Sequence, residues 1–227
     1  MPDLSRNSSA FVQTPLQNRS RQTLRKIAEA TEALLATRSF DDITVADIVK
    51  RARCSTGSFY GRFTAKDDLL PYLYERYDAD LKGRVQRRAS GIDWDSLSLH
   101  ETVDVLVKHT VDMYLERRHL LRAVALYART RPGDITAQVR RTRQATTDLP
   151  PLLLARFAGE IAHDDPLEAS RIGFFMIASI CREKILFGEA PHAAATRLSN
   201  DRLKSELSRT LFAYLTCRYP RPNLVRS

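Results

Sequence analysis

The residues best suited to meet a polyanion lie between Thr44 and Lys66. Thr44-Val-Ala-Asp47 has the spacing of a capping box: the threonine hydroxyl accepts a backbone N–H and the aspartate carboxylate reaches back. It predicts a helix with Val45, Ile48, Val49 and Ala52 facing inward, ending near Arg53. Only Arg53, Cys54 and Ser55 separate it from Thr56-Gly-Ser-Phe-Tyr-Gly-Arg-Phe63, which is expected to form two further helical turns. A buttressing helix, a short turn and a second helix form the arrangement that enters a DNA major groove. Ser55, Thr56, Gly57 and Ser58 are small, so the backbone there approaches base edges closely, and their hydroxyls suit phosphates or bases. Phe59 is placed to anchor the short helix, Tyr60 to aim its phenol at a phosphate, and Arg62 to meet a phosphate or a guanine edge. The competing reading is a plain helical corner. That reading leaves unexplained the second helix's lack of bulk and the adjacent Lys66.

The elements around this pair follow from periodicity. Leu24, Ile27, Ala28, Thr31, Leu34 and Leu35 share one face of a helix from about Ser20 to Thr37. Thr64-Ala-Lys-Asp67 reads as a second capping box, opening a helix that buries Leu69, Leu70, Leu73 and Tyr77. The polar stretch 1–18 is expected to be an arm, 19–66 a helix-turn-helix domain, and 67–227 a helical body.

In the body, Ser98-Leu-His-Glu101 is a third capping box before a helix with Val103, Leu106, Val107, Val111 and Tyr114 inward. A helix follows over roughly 118–130, then a break at Arg131-Pro-Gly-Asp134. Asp134 opens a helix to Phe157 that Pro150-Pro151 must kink or split. Asp165-Pro166 is an N-cap followed by proline at the first helical position. The segment 167–187 is apolar nearly all round and predicts burial on more than one side. Leu203, Leu207, Leu211 and Tyr214 form a stripe on a helix over about 200–218, expected to leave an apolar patch on a monomer. The expectation is a homodimer joined through about 167–187 and 200–218.

Apolar residues are 43% of the 227, enough for a sizeable core, and only 8 are glycine, which favours helices over sheets. The formal charge of +9 and pI near 9.7 fit a polyanionic partner, either nucleic acid or an anionic membrane surface. Cys54, Cys181 and Cys217 are widely spaced, which points to reduced thiols rather than a metal site. No long apolar run or signal-peptide pattern is present, so a cytoplasmic location and no membrane partner are expected. No phosphate-binding glycine loop, metalloprotease motif or nucleophile elbow occurs, so neither an enzyme nor a bound cofactor is expected. A basic helical protein binding RNA or anionic membranes without sequence preference remains the alternative function.

Ile43-Thr-Val-Ala-Asp-Ile-Val49, Ser55-Thr-Gly-Ser-Phe-Tyr60 and Phe63-Thr-Ala-Lys-Asp-Asp-Leu-Leu70 together resemble the DNA-binding domain of the tetracycline-repressor (TetR) family. The resemblance covers about Arg19 to Tyr77. It implies an all-α fold, with an N-terminal three-helix DNA-binding domain and a C-terminal ligand-binding and dimerisation domain. The implied function is a regulator, a repressor in the usual case, that binds a palindromic operator in double-stranded DNA and releases it when a small-molecule effector binds. Thr44 and Lys66 then match phosphate contacts, Tyr60 the recognition-helix tyrosine, and Thr56, Gly57 and Arg62 positions of base contact. The sequence departs from the family at the turn, where Arg53-Cys54 replaces the usual Gly-Val. In the body, Met113, Tyr114, Tyr127, Phe174, Phe175 and Met176 are candidate walls of an effector pocket, or else simple core. His109 and Glu183 are candidate polar groups to orient a ligand, or satisfied polar residues. The arginines between 117 and 143 form a basic run.

Overall fold

Five helices in the structure begin where a short polar side chain, that of Thr44, Ser55, Ser98, Asp165 or Ser199, accepts one of the first free N–H groups. The computed structural model describes residues 15–130, 149–190, 194 and 197–218. Among these the secondary structure is helical, without strands. The first helices are α1 (Pro15–Leu35), α2 (Val45–Ala52), α3 (Thr56–Tyr60) and α4 (Leu69–Ser90). They are followed by α5 (Leu99–Glu116), α6 (Arg118–Thr130), α7 (Leu149–Leu154), α8 (Pro166–Cys181) and α9 (Asn200–Thr216). Two compact units divide between Leu73 and Tyr74, so α4 contributes to both.

In the N-terminal unit, α1 packs on α2 and α2 on α3. Ile27, Ile43, Ile48, Phe59, Leu69 and Leu70 are fully buried there, as the apolar periodicity requires. Burying one such side chain contributes roughly 1.5–3 kcal/mol, so a few of them hold a small domain. Phe59 stands at the centre, with Phe63 5.4 Å away between ring centroids. The Thr44 box forms as expected: the Asp47 N–H donates to Thr44 Oγ1 at 3.1 Å, and the Thr44 N–H donates to the Asp47 carboxylate at 2.9 Å.

Two local expectations are corrected. The stretch Thr56–Phe63 is not two turns of helix, because α3 ends at Tyr60. The Gly61, Arg62 and Phe63 N–H groups then close a turn onto the Gly57 and Phe59 carbonyls. The second capping box is also shifted. Ala65, not Thr64, is the cap position of a short 3-10 turn, Lys66–Asp68, and its N–H donates to the Asp68 carboxylate at 2.9 Å. Asp67 and Asp68 are equally acidic, so the sequence alone leaves the register open by one residue.

In the body, α5 lies against α9, and α8 against both α9 and α7. Val103, Val107 and Val111 of α5 meet Ile177 and Cys181 of α8 and Leu207, Leu211 and Leu215 of α9 in one core. The Ser98 box forms with Glu101, and Asp165 caps α8 with Pro166 at its start. Gly173 is where α8 and α9 approach closely: a β-carbon there would lie 2.5 Å from Leu211 Cδ1. Burial pushes the Cys181 thiol up to about 12.

The body departs from expectation in three places. The stripe Leu203, Leu207, Leu211 is not an exposed patch but part of the monomer's own core, with Tyr214 partly buried against it. A strong apolar periodicity shows that a face is covered, not by what. Helix α8 ends at Cys181 and passes into a wider π turn, Arg182–Leu186. Its outer face is not buried: Ile172, Phe175 and Ile180 are exposed, Phe175 to 69%. Pro150 and Pro151 are the second and third residues of α7 as described, and the expected helix from Asp134 falls largely on 131–148, outside the described residues. The polar stretch 1–14 also lies outside them.

Candidate nucleic-acid interface

The α2–turn–α3 segment sorts its polar residues into those that build the surface and those left open on it. Ser55 builds. Its Oγ accepts from the Ser58 N–H at 3.1 Å and donates to Ser58 Oγ at 2.9 Å, capping α3 and fixing both serines. Thr44 also builds, since its hydroxyl lies between the Asp47 N–H and the Asp47 carboxylate. That carboxylate is held below the usual range by the Thr44 backbone N–H and hydroxyl, then by Arg38, whose Nη1 is 3.0 Å away.

Arg62 and Lys66 turn inward. Arg62 Nη1 donates to the Ser58 carbonyl at 2.5 Å, and Nη2 reaches Ser20 Oγ at 3.4 Å. Its guanidinium thus braces the end of α3 against α1. Lys66 Nζ donates to the Phe40 and Ile43 carbonyls at 2.9 Å each and to that of Asp41 at 3.3 Å. It also sits 4.7 Å from the centroid of the Phe40 ring. An ammonium has three donors, so Lys66 as placed closes the loop between α1 and α2. The sequence pattern places both cations beside the short helix. It does not show that backbone carbonyls nearby claim them.

What remains open is Thr56, Gly57 and Tyr60, on one side of α3. Thr56 and Gly57 are exposed. Tyr60 is 54% exposed, its ring packed edge-on against Phe59 at 5.3 Å. A β-carbon on Gly57 would meet only Ser55 Oγ, at 3.9 Å, an ordinary contact. Among the described residues, nothing requires glycine there. Before this surface comes the turn residue Arg53, in the left-handed region at φ 50°, ψ 52°. Lys50 and Arg51 beside it are exposed.

The proposed pocket residues separate in the same way. Tyr114 and Phe174 are buried in the body's core, and Met113 packs partly buried against it. Tyr127 is buried on α6, and Met176 is half-buried. Phe175 is corrected: it faces outward from α8 and lines no interior wall. Glu183 is likewise exposed, and His109 Nδ1 is 2.9 Å from the Val105 carbonyl of its own helix. Sequence reasoning counted Tyr77 only as core. It is buried, yet its hydroxyl has no hydrogen-bond partner. Burial, more than its neighbours Tyr74, Tyr114 and Asp78, pushes that phenol far up. Of the basic run, Arg122 pairs with Glu189 at 2.9 Å, Arg129 lies 5.1 Å from the Phe187 ring centroid, and Arg131, Arg140, Arg141 and Arg143 lie outside the described residues. Among the described residues there is no metal-ligand cluster, and no helix is long and apolar enough to cross a membrane.

Residues 27–73 match the family described as bacterial regulatory proteins, tetR family. The HTH-type transcriptional regulator YwcC of Bacillus subtilis (strain 168) is 41% identical over 54 residues, which is 24% of this chain and 24% of that protein. The match thus spans about a quarter of that relative's length. A regulator assigned to the TetR family from Mesorhizobium loti MAFF303099 superposes with TM-score 0.64 at 20% identity, covering 87% of this chain and 96% of that one. AibR, solved in complex with isovaleryl coenzyme A and operator DNA, superposes with TM-score 0.60 at 16% identity, covering 84% and 98%. At such identities these two are likenesses of fold. The molecule is an all-helical protein with an N-terminal helix-turn-helix and a helical body. Its helix-turn-helix, over residues 27–73, is that of the TetR family of bacterial regulatory proteins.

Proposed function

We propose that this protein is a transcriptional repressor that binds a palindromic operator in double-stranded DNA as a homodimer and is controlled by a small-molecule effector. Gly57 carries the reading. A glycine inside a helix is worth roughly 0.5–1 kcal/mol less than alanine. At position 57 the protein itself gains no room from it. The missing β-carbon serves a partner that approaches the backbone of α3, as base edges do in a major groove. Thr56 and Tyr60 flank that approach, so Thr56 is assigned a base contact and Tyr60 a phosphate contact.

A palindrome needs two copies of α3, and the exposed apolar row Ile172, Phe175, Ile180 on α8 supports pairing of two chains there. Helix α9 joins that interface only through its outer face, since its leucines belong to the monomer core. For the effector, the unpaired Tyr77 hydroxyl offers one polar contact in a setting of Tyr74 and Tyr114, which suits a mostly apolar ligand bearing a hydrogen-bonding group. Tyr77 lies on α4, the helix whose first residues close the N-terminal unit, so a ligand there acts on an element common to both units. Such a ligand changes operator binding only by favouring one arrangement over the other.

The test is selection of duplexes from a random pool by the purified full-length protein, followed by sequencing. The expected product is one inverted repeat. Retention of the pool without enrichment, at a strength set by salt alone, overturns operator recognition in favour of non-specific polyanion binding.

A further inference from the structure

The turn residue Arg53 is the one non-glycine residue at positive φ among the described residues. With a β-carbon, the left-handed conformation is strained, and glycine relieves that strain without loss of any backbone hydrogen bond. The turn's own bonds are made by main chain: the Arg53 N–H donates to the Lys50 carbonyl at 3.3 Å, and the Cys54 N–H donates to the Val49 carbonyl at 3.1 Å. The Arg53 side chain is exposed, and among the described residues no hydrogen bond or ion pair engages its guanidinium. It therefore returns nothing to the fold in exchange for the strain it imposes. Two further cations near this surface, Arg62 and Lys66, behave oppositely, since both are held by carbonyls of the domain itself. Position 53 lies between α2 and α3, two residues before the Ser55 cap.

We propose that Arg53 is a DNA-binding residue: the strained turn holds its guanidinium beside α3 to clamp a backbone phosphate, a role the family resemblance assigns to Thr44 and Lys66. The inference rests on the DNA-binding reading above. Arginine suits the role because its planar fork meets two phosphate oxygens at once. A phosphate clamp adds affinity for every duplex and leaves base preference unchanged.

The experiment measures duplex affinity against salt for the full-length wild type, Arg53→Gly, Arg53→Gln and Arg53→Lys. The probes are the duplex recovered by selection and an unrelated duplex of equal length. Each lost phosphate contact lowers the slope of log K against log salt by about 0.9, so losing Arg53 from both chains of a dimer lowers it by about 1.8. Arg53→Gly and Arg53→Gln are expected to lose that much slope on both duplexes with the ratio of the two affinities unchanged, and Arg53→Lys to keep most of it. In parallel, Arg53→Gly is expected to raise Tm by roughly 2–4 °C, the shift that corresponds to about one unit of relieved strain in a chain of this size. Wild-type slopes in both Gly and Gln variants overturn the proposal while leaving DNA binding intact. A changed affinity ratio also overturns it, in favour of base reading by Arg53. If the wild type binds neither duplex, the DNA-binding reading fails first and the clamp with it.

Discussion

Helices α3 and α8 each carry a glycine within the helix, and each helix also bears an exposed aromatic residue, Tyr60 or Phe175. On α3 a β-carbon at Gly57 would make only an ordinary contact, 3.9 Å from Ser55 Oγ, while on α8 a β-carbon at Gly173 would lie 2.5 Å from Leu211 Cδ1. One glycine is not required by its described neighbours, and the other makes room for a neighbouring helix. Their surroundings differ accordingly. Helix α3 shows hydroxyls and a phenol, whereas α8 shows Ile172, Phe175 and Ile180. A polar face with backbone within reach suits a hydrated polyanion, and an apolar face suits another apolar face. The same residue type therefore means opposite things on two surfaces of one molecule, and only packing tells them apart.

The largest effects should come from the α8–α9 side. Leu211→Ala is expected to cost about 2–5 kcal/mol in denaturant unfolding, because it empties core space in the monomer. Phe175→Glu should leave folded chains whose sedimentation is monomeric and whose operator affinity falls by about 100-fold or more, the loss expected when two sites no longer act together. If Leu211→Ala yields a stable monomer instead, the leucine stripe is an interface after all.

The two glycines give the sharper contrast. Gly173→Ala should destabilise by about 1–3 kcal/mol through overpacking. Gly57→Ala should stabilise the fold by up to about 1 kcal/mol, and should weaken operator binding by about tenfold or more, the scale of one lost base contact. A Gly57→Ala protein with unchanged operator affinity would remove the main support for a major-groove partner.

Tyr77→Phe extends the contrast to the interior. Removing a buried hydroxyl without a partner should leave thermal stability equal or higher. Compounds found by thermal shift among small apolar molecules with one polar group should then lose part of their stabilisation. A clear loss of Tm in Tyr77→Phe without ligand would show that the hydroxyl serves the fold alone.

The smallest effect concerns acid. Asp47 has a pKa lowered by the Thr44 N–H, so its contribution is present above the unfolded value and is lost as pH falls through the folded one. Asp47→Asn should weaken α2 slightly at neutral pH and flatten the decline in stability below about pH 4. An unchanged acid limb in circular dichroism would count against the box as a stabilising device.

The legible parts of this protein were those decided by neighbours in sequence. The Thr44, Ser98 and Asp165 caps, the inward faces of α2 and α5 and the end of α2 are all local, and all are found where spacing places them. The illegible parts were decided at a distance. Lys66 is claimed by carbonyls more than twenty residues earlier in the chain. The leucines of α9 are covered by α5 and α8 rather than by a second chain, and Phe175 lies on the uncovered side of α8. A periodic stripe has the same appearance whether its cover is internal or external. For the proposed binding surface, the sequence pattern names candidate residues, and the structure adds which of them are exposed and which are held by the fold.

At the far end of the body, the Ala162 N–H donates to the Leu215 carbonyl and His163 Nε2 lies against the Tyr214 carbonyl, each at 2.7 Å. These bonds join the entrance of α8 to the last turn of α9, so the two ends of a long stretch of chain meet. Such a closure makes local fraying difficult, because α9 cannot peel from its C-terminal end without first opening the loop before α8. In hydrogen exchange, the amides of Ala162 and of the last turn of α9 should therefore open together with the core of the body, as one cooperative unit, rather than at the faster rates usual near the end of a chain.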